Sequence, residues 1–152
     1  NPNGASSTNL PDEELHGIVD DVRGAVAHLR AHPLIRPRKI AIIGSSLGSS
    51  AALLVAAESP GIGVVVALSP GLRYKDISLR PMLPALRQKA LILISADGDA
   101  YSAHSAAVLS EKLPRAQTLI VNDTNAHGVS LLEQSPKTLK SLLEWLSSQL
   151  NS

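Results

Sequence analysis

Four short apolar runs, none of which alternates, constrain this chain more than any other feature. They are Ile40-Ala41-Ile42-Ile43, Val64-Val65-Val66-Ala67-Leu68, Ala90-Leu91-Ile92-Leu93-Ile94 and Thr118-Leu119-Ile120-Val121. A strand with one wet face alternates apolar and polar side chains, whereas a nearly continuous run reads as a strand covered on both faces, as in a parallel sheet. Helical stretches separate the runs: residues 47–58, a short one near 81–87, and 103–113. Ahead of the first run, Leu15, Ile18, Val19, Val22, Val26 and Leu29 recur at helical spacing until His32-Pro33 stops them. Behind the last, Leu139, Leu142, Leu143, Leu146 and Leu150 share one helix face. The alternation predicts an α/β fold: a mostly parallel sheet of about four strands with helices on both faces and right-handed crossovers. Residues 1–10 are polar and read as an arm or loop, and residues 11–152 read as one domain.

Composition narrows the partners. The chain has 152 residues, 44% hydrophobic and 18% charged, which is globular and enough for one core. Fourteen basic against thirteen acidic residues, with no run of like charge, argue against nucleic acid or an anionic membrane as the main partner. With no cysteine, thiolate catalysis, thiolate metal sites and disulfides are excluded. No apolar stretch approaches the roughly 20 residues that span a bilayer. The first residues carry no signal-peptide pattern, although a chain that starts at Asn1 leaves room for a segment removed upstream. His16, His28, His32 and His104 read as surface or partly buried helical positions. No histidine or carboxylate spacing suits a metal, so neither metal nor cofactor is expected. Gly61-x-Gly63 precedes a strand and so is no dinucleotide fingerprint.

In a parallel sheet, functional residues gather beyond the carboxyl ends of the strands. The first run leads into Gly44-Ser45-Ser46-Leu47-Gly48, a serine flanked two residues away on each side by glycine, between strand and helix. Such a turn is so tight that the central residue is held in a strained conformation, and larger side chains at the glycine positions would collide with it. The strain lifts the serine hydroxyl clear of the sheet. The second run leads into Ser69-Pro70-Gly71, the third into Ser95-Ala96-Asp97-Gly98-Asp99, and the fourth into Asn125-Ala126-His127-Gly128. A serine, an acid (Asp97 or Asp99) and a histidine therefore share one rim. Serine needs a base within hydrogen-bond reach to become a nucleophile. Histidine supplies that base and later returns the proton. A carboxylate on its far nitrogen fixes the tautomer.

These segments together resemble the α/β-hydrolase superfamily, over nearly the whole chain from the first helix to the last. The resemblance implies Ser46 as nucleophile, His127 as general base and acid, and Asp99 as the orienting acid, with the Leu47 N–H as one oxyanion donor. In the family's usual turn the acid lies a few residues past the strand, which favours Asp99; Asp97 then shapes the turn, as Asp123 does in the histidine loop. The substrate implied is a small acyl or ester compound. Residues 72–89, where the family often inserts a lid, are few, so an open pocket is expected, and Arg73, Lys75 and Arg80 read as a solvated loop.

One part of the family's pattern is missing. Members carry further strands ahead of the nucleophile strand, and a loop there, often His-Gly, supplies a second oxyanion donor. The run Lys39 to Ile43 would then form a bare apolar sheet edge, which invites pairing with another chain. The expected partner is a missing N-terminal half, separate or cleaved off, or else a second copy in a homodimer through that edge. The alternative function is a non-catalytic interaction module that pairs through the same edge. A flavodoxin-like domain is a weaker reading, because Gly44 to Gly48 is short for a phosphate loop and lacks lysine.

Overall fold

The computed structural model describes residues 12–74 and 77–151. The arm expected over residues 1–10 lies outside the described residues. In chain order the elements are α1 (Asp12–Ala31), β1 (Ala41–Ser45), α2 (Leu47–Glu58), β2 (Val64–Leu68), β3 (Arg73–Tyr74), β4 (Ile77–Ser78), a 3-10 turn (Arg80–Met82), α3 (Leu83–Leu86), β5 (Ala90–Ala96), α4 (Ala100–Lys112), β6 (Ala116–Val121), α5 (Ser130–Gln134) and α6 (Pro136–Asn151). The four long strands form one parallel sheet in the order β1-β2-β5-β6. This is the α/β architecture that the apolar runs predict.

The two central strands explain why those runs do not alternate. Val65, Ala67, Leu91 and Leu93 pack against α1, α2 and α4 through Val19, Val26, Leu53, Ala106 and Leu109. Val66, Leu68, Ile92 and Ile94 point the other way, onto Leu131 of α5 and Leu142 of α6. Every side chain of β2 is buried, as is every one of β5 after Ala90. Burying such aliphatic side chains contributes about 1.5–3 kcal/mol each, so this pair is the centre of the core.

The outer strands depart from the expectation of cover on both faces. β1 and β6 are the two edges of the sheet, and Ile43 is 54% and Ile120 53% exposed. An edge strand has a neighbour on one side only; α2 packs on one face of β1 with Ile42, and Ile43 lies on the other face, left open. The leucine face of α6 is also only half covered. Ser135, Thr138 and Ser141 line a cleft with Leu119 to Asn122 beside β6, which turns the opposite flank, Leu139 and Leu143, toward the β1 side. Leu143 is 57% exposed. Ile43 pairs in register with Val66 and so shares the sheet face on which α6 lies. Ile43 of β1 and Leu139 and Leu143 of α6 are therefore exposed apolar residues on the same side of the sheet.

The short helical stretch read near 81–87 is present as the 3-10 turn and α3, and the segment ahead of it, read as loop, holds a hairpin. β3 and β4 make a small antiparallel hairpin, tied to α4 where the Tyr101 hydroxyl donates to the Arg73 carbonyl at 2.6 Å. α4 begins at Ala100, three residues earlier than its apolar periodicity indicates, because Asp99 caps it with a hydrogen bond from the Ser102 N–H. His104 accordingly lies inside the helix.

The turn from β1 to α2 is as tight as its glycines imply. Ser46 has φ 54° and ψ −121°, a region that non-glycine residues seldom occupy. Its N–H donates to the Leu68 carbonyl at 2.8 Å, and its carbonyl accepts from the Ser49 hydroxyl at 2.6 Å. A Cβ at Gly44 would collide with the Gly48 carbonyl and the Ser49 Cα, both backbone, whereas a Cβ at Gly48 meets nothing. The steric demand expected at both glycines thus falls on Gly44. Gly44→Ala should cost the upper end of the roughly 1–3 kcal/mol typical of overpacking. Gly48→Ala should be neutral or stabilising by up to about 1 kcal/mol, because it lies in a helix. Urea unfolding of the two variants checks this; equal losses would contradict it.

Candidate active site

Three side chains from three strand ends meet at the carboxyl rim. His127 Nε2 lies 2.7 Å from Ser46 Oγ, and His127 Nδ1 lies 2.6 Å from Asp99 Oδ2. With Nδ1 protonated, the ring donates to Asp99 and leaves its Nε2 lone pair facing the serine hydroxyl. The structure thus brings together Ser46, Asp99 and His127. Leu47 is the first residue of α2, so its N–H has no acceptor within the helix and sits next to the serine, where the helix dipole is positive.

The two candidate acids part company. Asp99 is the more enclosed of the bonded pair, with its side chain 13% exposed against 50% for His127. Burial pushes its carboxyl upward, but hydrogen bonds from Ser102 and His127 outweigh that and hold it below the ordinary carboxylate value. Asp97 faces solvent. Its two oxygens accept from the backbone N–H groups of Asp123 (3.0 Å) and Thr124 (3.3 Å), which hold its carboxyl low. Asp97 therefore ties the turn after β5 to the histidine loop. Asp123 takes the left-handed conformation there, with φ 60°, as a turn-forming aspartate can.

The loop that carries His127 is held from both sides. At its start, the Gly98 N–H donates to the Thr124 carbonyl at 3.0 Å. The Thr124 hydroxyl accepts from the Ala126 N–H (3.1 Å) and bonds to the Gln134 side chain (2.9 Å). Ser130 Oγ accepts from the His127 N–H (3.1 Å) and donates to its carbonyl (2.8 Å). Beyond the histidine, Gly128 has φ 64°, and its buried N–H donates to Ser69 Oγ at 2.9 Å. A Cβ on Gly128 would collide with Ser45 Oγ. Sequence reasoning assigned no role to Ser69, Thr124 or Ser130. For Ser69, the available signal was a polar residue directly after a wholly apolar strand.

His28, His32 and His104 are exposed and lie outside this cluster. Among the described residues no three His, Asp or Glu side chains converge as metal ligands, and no helix is long and apolar enough to cross a membrane.

Comparison with known proteins places the architecture. No family model matches the chain. A thiohydrolase of Arthrinium phaeospermum is 30% identical over a match that covers 61% of this chain and 35% of the relative, so the chain spans about a third of that protein's length. A carboxylesterase structure from Nitrososphaera gargenis superposes with a TM-score of 0.69 at 14% identity, covering 88% of this chain and 71% of that one. The dienelactone hydrolase of Anabaena variabilis gives 0.63 at 23% identity, covering 88% of this chain and 58% of that one. The chain has part of the α/β-hydrolase fold, and that likeness covers 88% of its own length.

The low pKa of Asp97 makes a prediction about acid stability. A carboxyl whose folded pKa lies below its unfolded value of about 3.8 contributes stability that is present above that pH. The contribution is lost as pH falls through the folded value, because the unfolded chain then binds more protons. Asp97→Asn should therefore be less stable than wild type by a constant amount above about pH 5, and the gap should narrow below about pH 4. Thermal unfolding from pH 6 to pH 3 measures it; a gap that does not narrow would contradict the assignment.

Proposed function

We propose that this chain carries the nucleophile, base and acid of a serine hydrolase that cleaves a small ester or related acyl bond. The observation that supports it best is the pair of short contacts on His127, 2.7 Å to Ser46 and 2.6 Å to Asp99, in the orientation that proton transfer needs. Ser46 attacks the carbonyl carbon as its proton passes to His127 Nε2. Asp99 stabilises the imidazolium and holds the tautomer. The N–H of Leu47 donates to the oxyanion. Collapse returns the proton to the leaving group and leaves Ser46 acylated, and water then repeats the sequence with His127 as base. The carboxylesterase and dienelactone hydrolase that share the fold, and the thiohydrolase relative, favour acyl hydrolysis over other chemistries on this scaffold.

An activity-based fluorophosphonate tests this at the protein's natural length. Ser46 should take the label, and Ser46→Ala should abolish labelling. Asp99→Asn should slow ester turnover by about 10⁴, whereas Asp97→Asn should stay within tenfold of wild type. No labelling of a folded protein, or equal losses at the two aspartates, would contradict the reading. Esters and thioesters assayed side by side then rank the substrates.

The partner follows from the uncovered side. We propose that a further strand and helix lie along β1 and over Ile43, Leu139 and Leu143, and bring the second oxyanion donor. Their source is an N-terminal half of the same fold; a second copy of the chain is the other candidate. A missing donor of this kind typically costs about 10²–10³ in turnover, so the chain alone should be slower than the completed protein by that factor. The non-catalytic module draws on the same free edge, but pairing alone requires no imidazole between a hydroxyl and a carboxylate. If these residues are covered, Ile43→Lys should destabilise the natural-length protein by more than about 2 kcal/mol, against the ±0.5 kcal/mol usual at a surface. A loss within the surface range would mean that Ile43 is bare.

A further inference from the structure

The peptide after β2 touches both halves of the site. The Leu68 carbonyl accepts the N–H of Ser46 at 2.8 Å, and the next residue, Ser69, accepts the N–H of Gly128 on its hydroxyl at 2.9 Å. One strand end therefore holds the backbone of the serine that bears the hydroxyl and the backbone that follows the histidine. Ser69 is itself fixed. It is 2% exposed, its N–H donates to the Ile94 carbonyl of β5 at 2.7 Å, and its φ is 48°. The left-handed conformation is unusual for serine and directs its hydroxyl back toward the histidine loop. The other loop anchors are of two kinds. Asp97 and Gly98 grip residues ahead of His127, and Ser130 belongs to the segment just behind it and moves with it. Ser69 reaches the peptide on the far side of the imidazole from a different element of the core.

We infer that Ser69 is a positioning residue: its buried hydroxyl pins the His127–Gly128 peptide to the strand end that also holds Ser46, and so sets the distance between Nε2 and Oγ. The inference deepens the hydrolase reading and rests on it for its effect on rate. Without the hydroxyl, the Gly128 N–H is left buried without an acceptor, and the loop lifts to find one. A misplacement of about 1 Å between reacting groups costs on the order of 10² in rate. Ground-state binding of a substrate that Ser69 does not touch is left alone.

Two variants separate positioning from plain structural support. Ser69→Ala removes the hydroxyl and keeps the strained φ; Ser69→Gly removes the hydroxyl and relieves the strain. Both should lower kcat for a p-nitrophenyl ester, and the rate of fluorophosphonate labelling, by about 10- to 100-fold with KM unchanged. The glycine variant should unfold at a higher temperature than the alanine variant, because it sheds the strain that alanine keeps. A proton NMR spectrum reads the geometry without turnover. The His127 Nδ1 proton, shared with Asp99 across 2.6 Å, should give a far-downfield resonance in wild type that broadens or vanishes in both variants. A stable Ser69→Gly protein with wild-type kcat and an intact downfield proton would overturn the inference. If wild type itself takes no label, the hydrolase reading falls, and the NMR comparison still decides whether Ser69 positions the ring.

Discussion

The parallel ladder from β1 to β6 is the constraint on which the rest of the molecule depends. It sets Ser45 opposite Leu68, Leu68 opposite Ile94, and Ala96 opposite Val121, so four strand ends finish nearly level. Residues 81 positions apart can then share one hydrogen bond. The ladder holds because its central strands, β2 and β5, bury side chains on both faces. A one-residue slip in a one-sided sheet exposes its apolar set. Here a slip would instead break the fit of both cores at once and carry the β1–α2 turn away from the histidine loop. Packing in the core and geometry at the rim are one property of the same register.

The site is assembled from backbone more than from side chains. Ser46 is held by a strand carbonyl, His127 by hydroxyls at its own peptide and by the Gly128 peptide, and Asp99 by its place as the cap of α4. Each is fixed before any substrate arrives, the preorganisation that the proposed acyl transfer would require. The positive φ values at Ser46, Ser69, Asp123 and Gly128 all fall in these rim turns. Strain of about 1–3 kcal/mol at such a residue persists only where surrounding structure over-determines it, and the ladder beneath supplies that surrounding.

Much of this was legible in the chain. Unbroken apolar runs gave away a sheet covered on both faces at β2 and β5, because burial on two faces removes alternation. Gly44 and Ser46 gave away the tight turn between β1 and α2, because that turn tolerates no Cβ at its entrance. Asp99 outranked Asp97 on turn geometry, and their contacts now separate them: one faces the imidazole, the other a pair of peptide N–H groups. Other features were hidden for physical reasons. The exposure of Ile43 and Ile120 depends on which strands end up at the edges, which composition does not encode. The requirement at Gly48 was overestimated because its Cβ direction depends on the helix it enters. Ser69 and Ser130 make their contacts through a hydroxyl alone, one bond for Ser69 and two for Ser130, and a serine in a loop looks the same in sequence whether it holds a peptide or faces water.

The central claim is that Ser46 becomes covalently acylated because His127 and Asp99 stand where the ladder delivers them. Rapid quenching of the natural-length protein during turnover of an activated ester, followed by peptide mass spectrometry, tests this most directly. The account predicts a transient acyl mass on the peptide that contains Ser46, which disappears as substrate is exhausted and does not build up in His127→Ala. Steady turnover with that peptide unmodified, or an acyl group resident on another side chain, would contradict it.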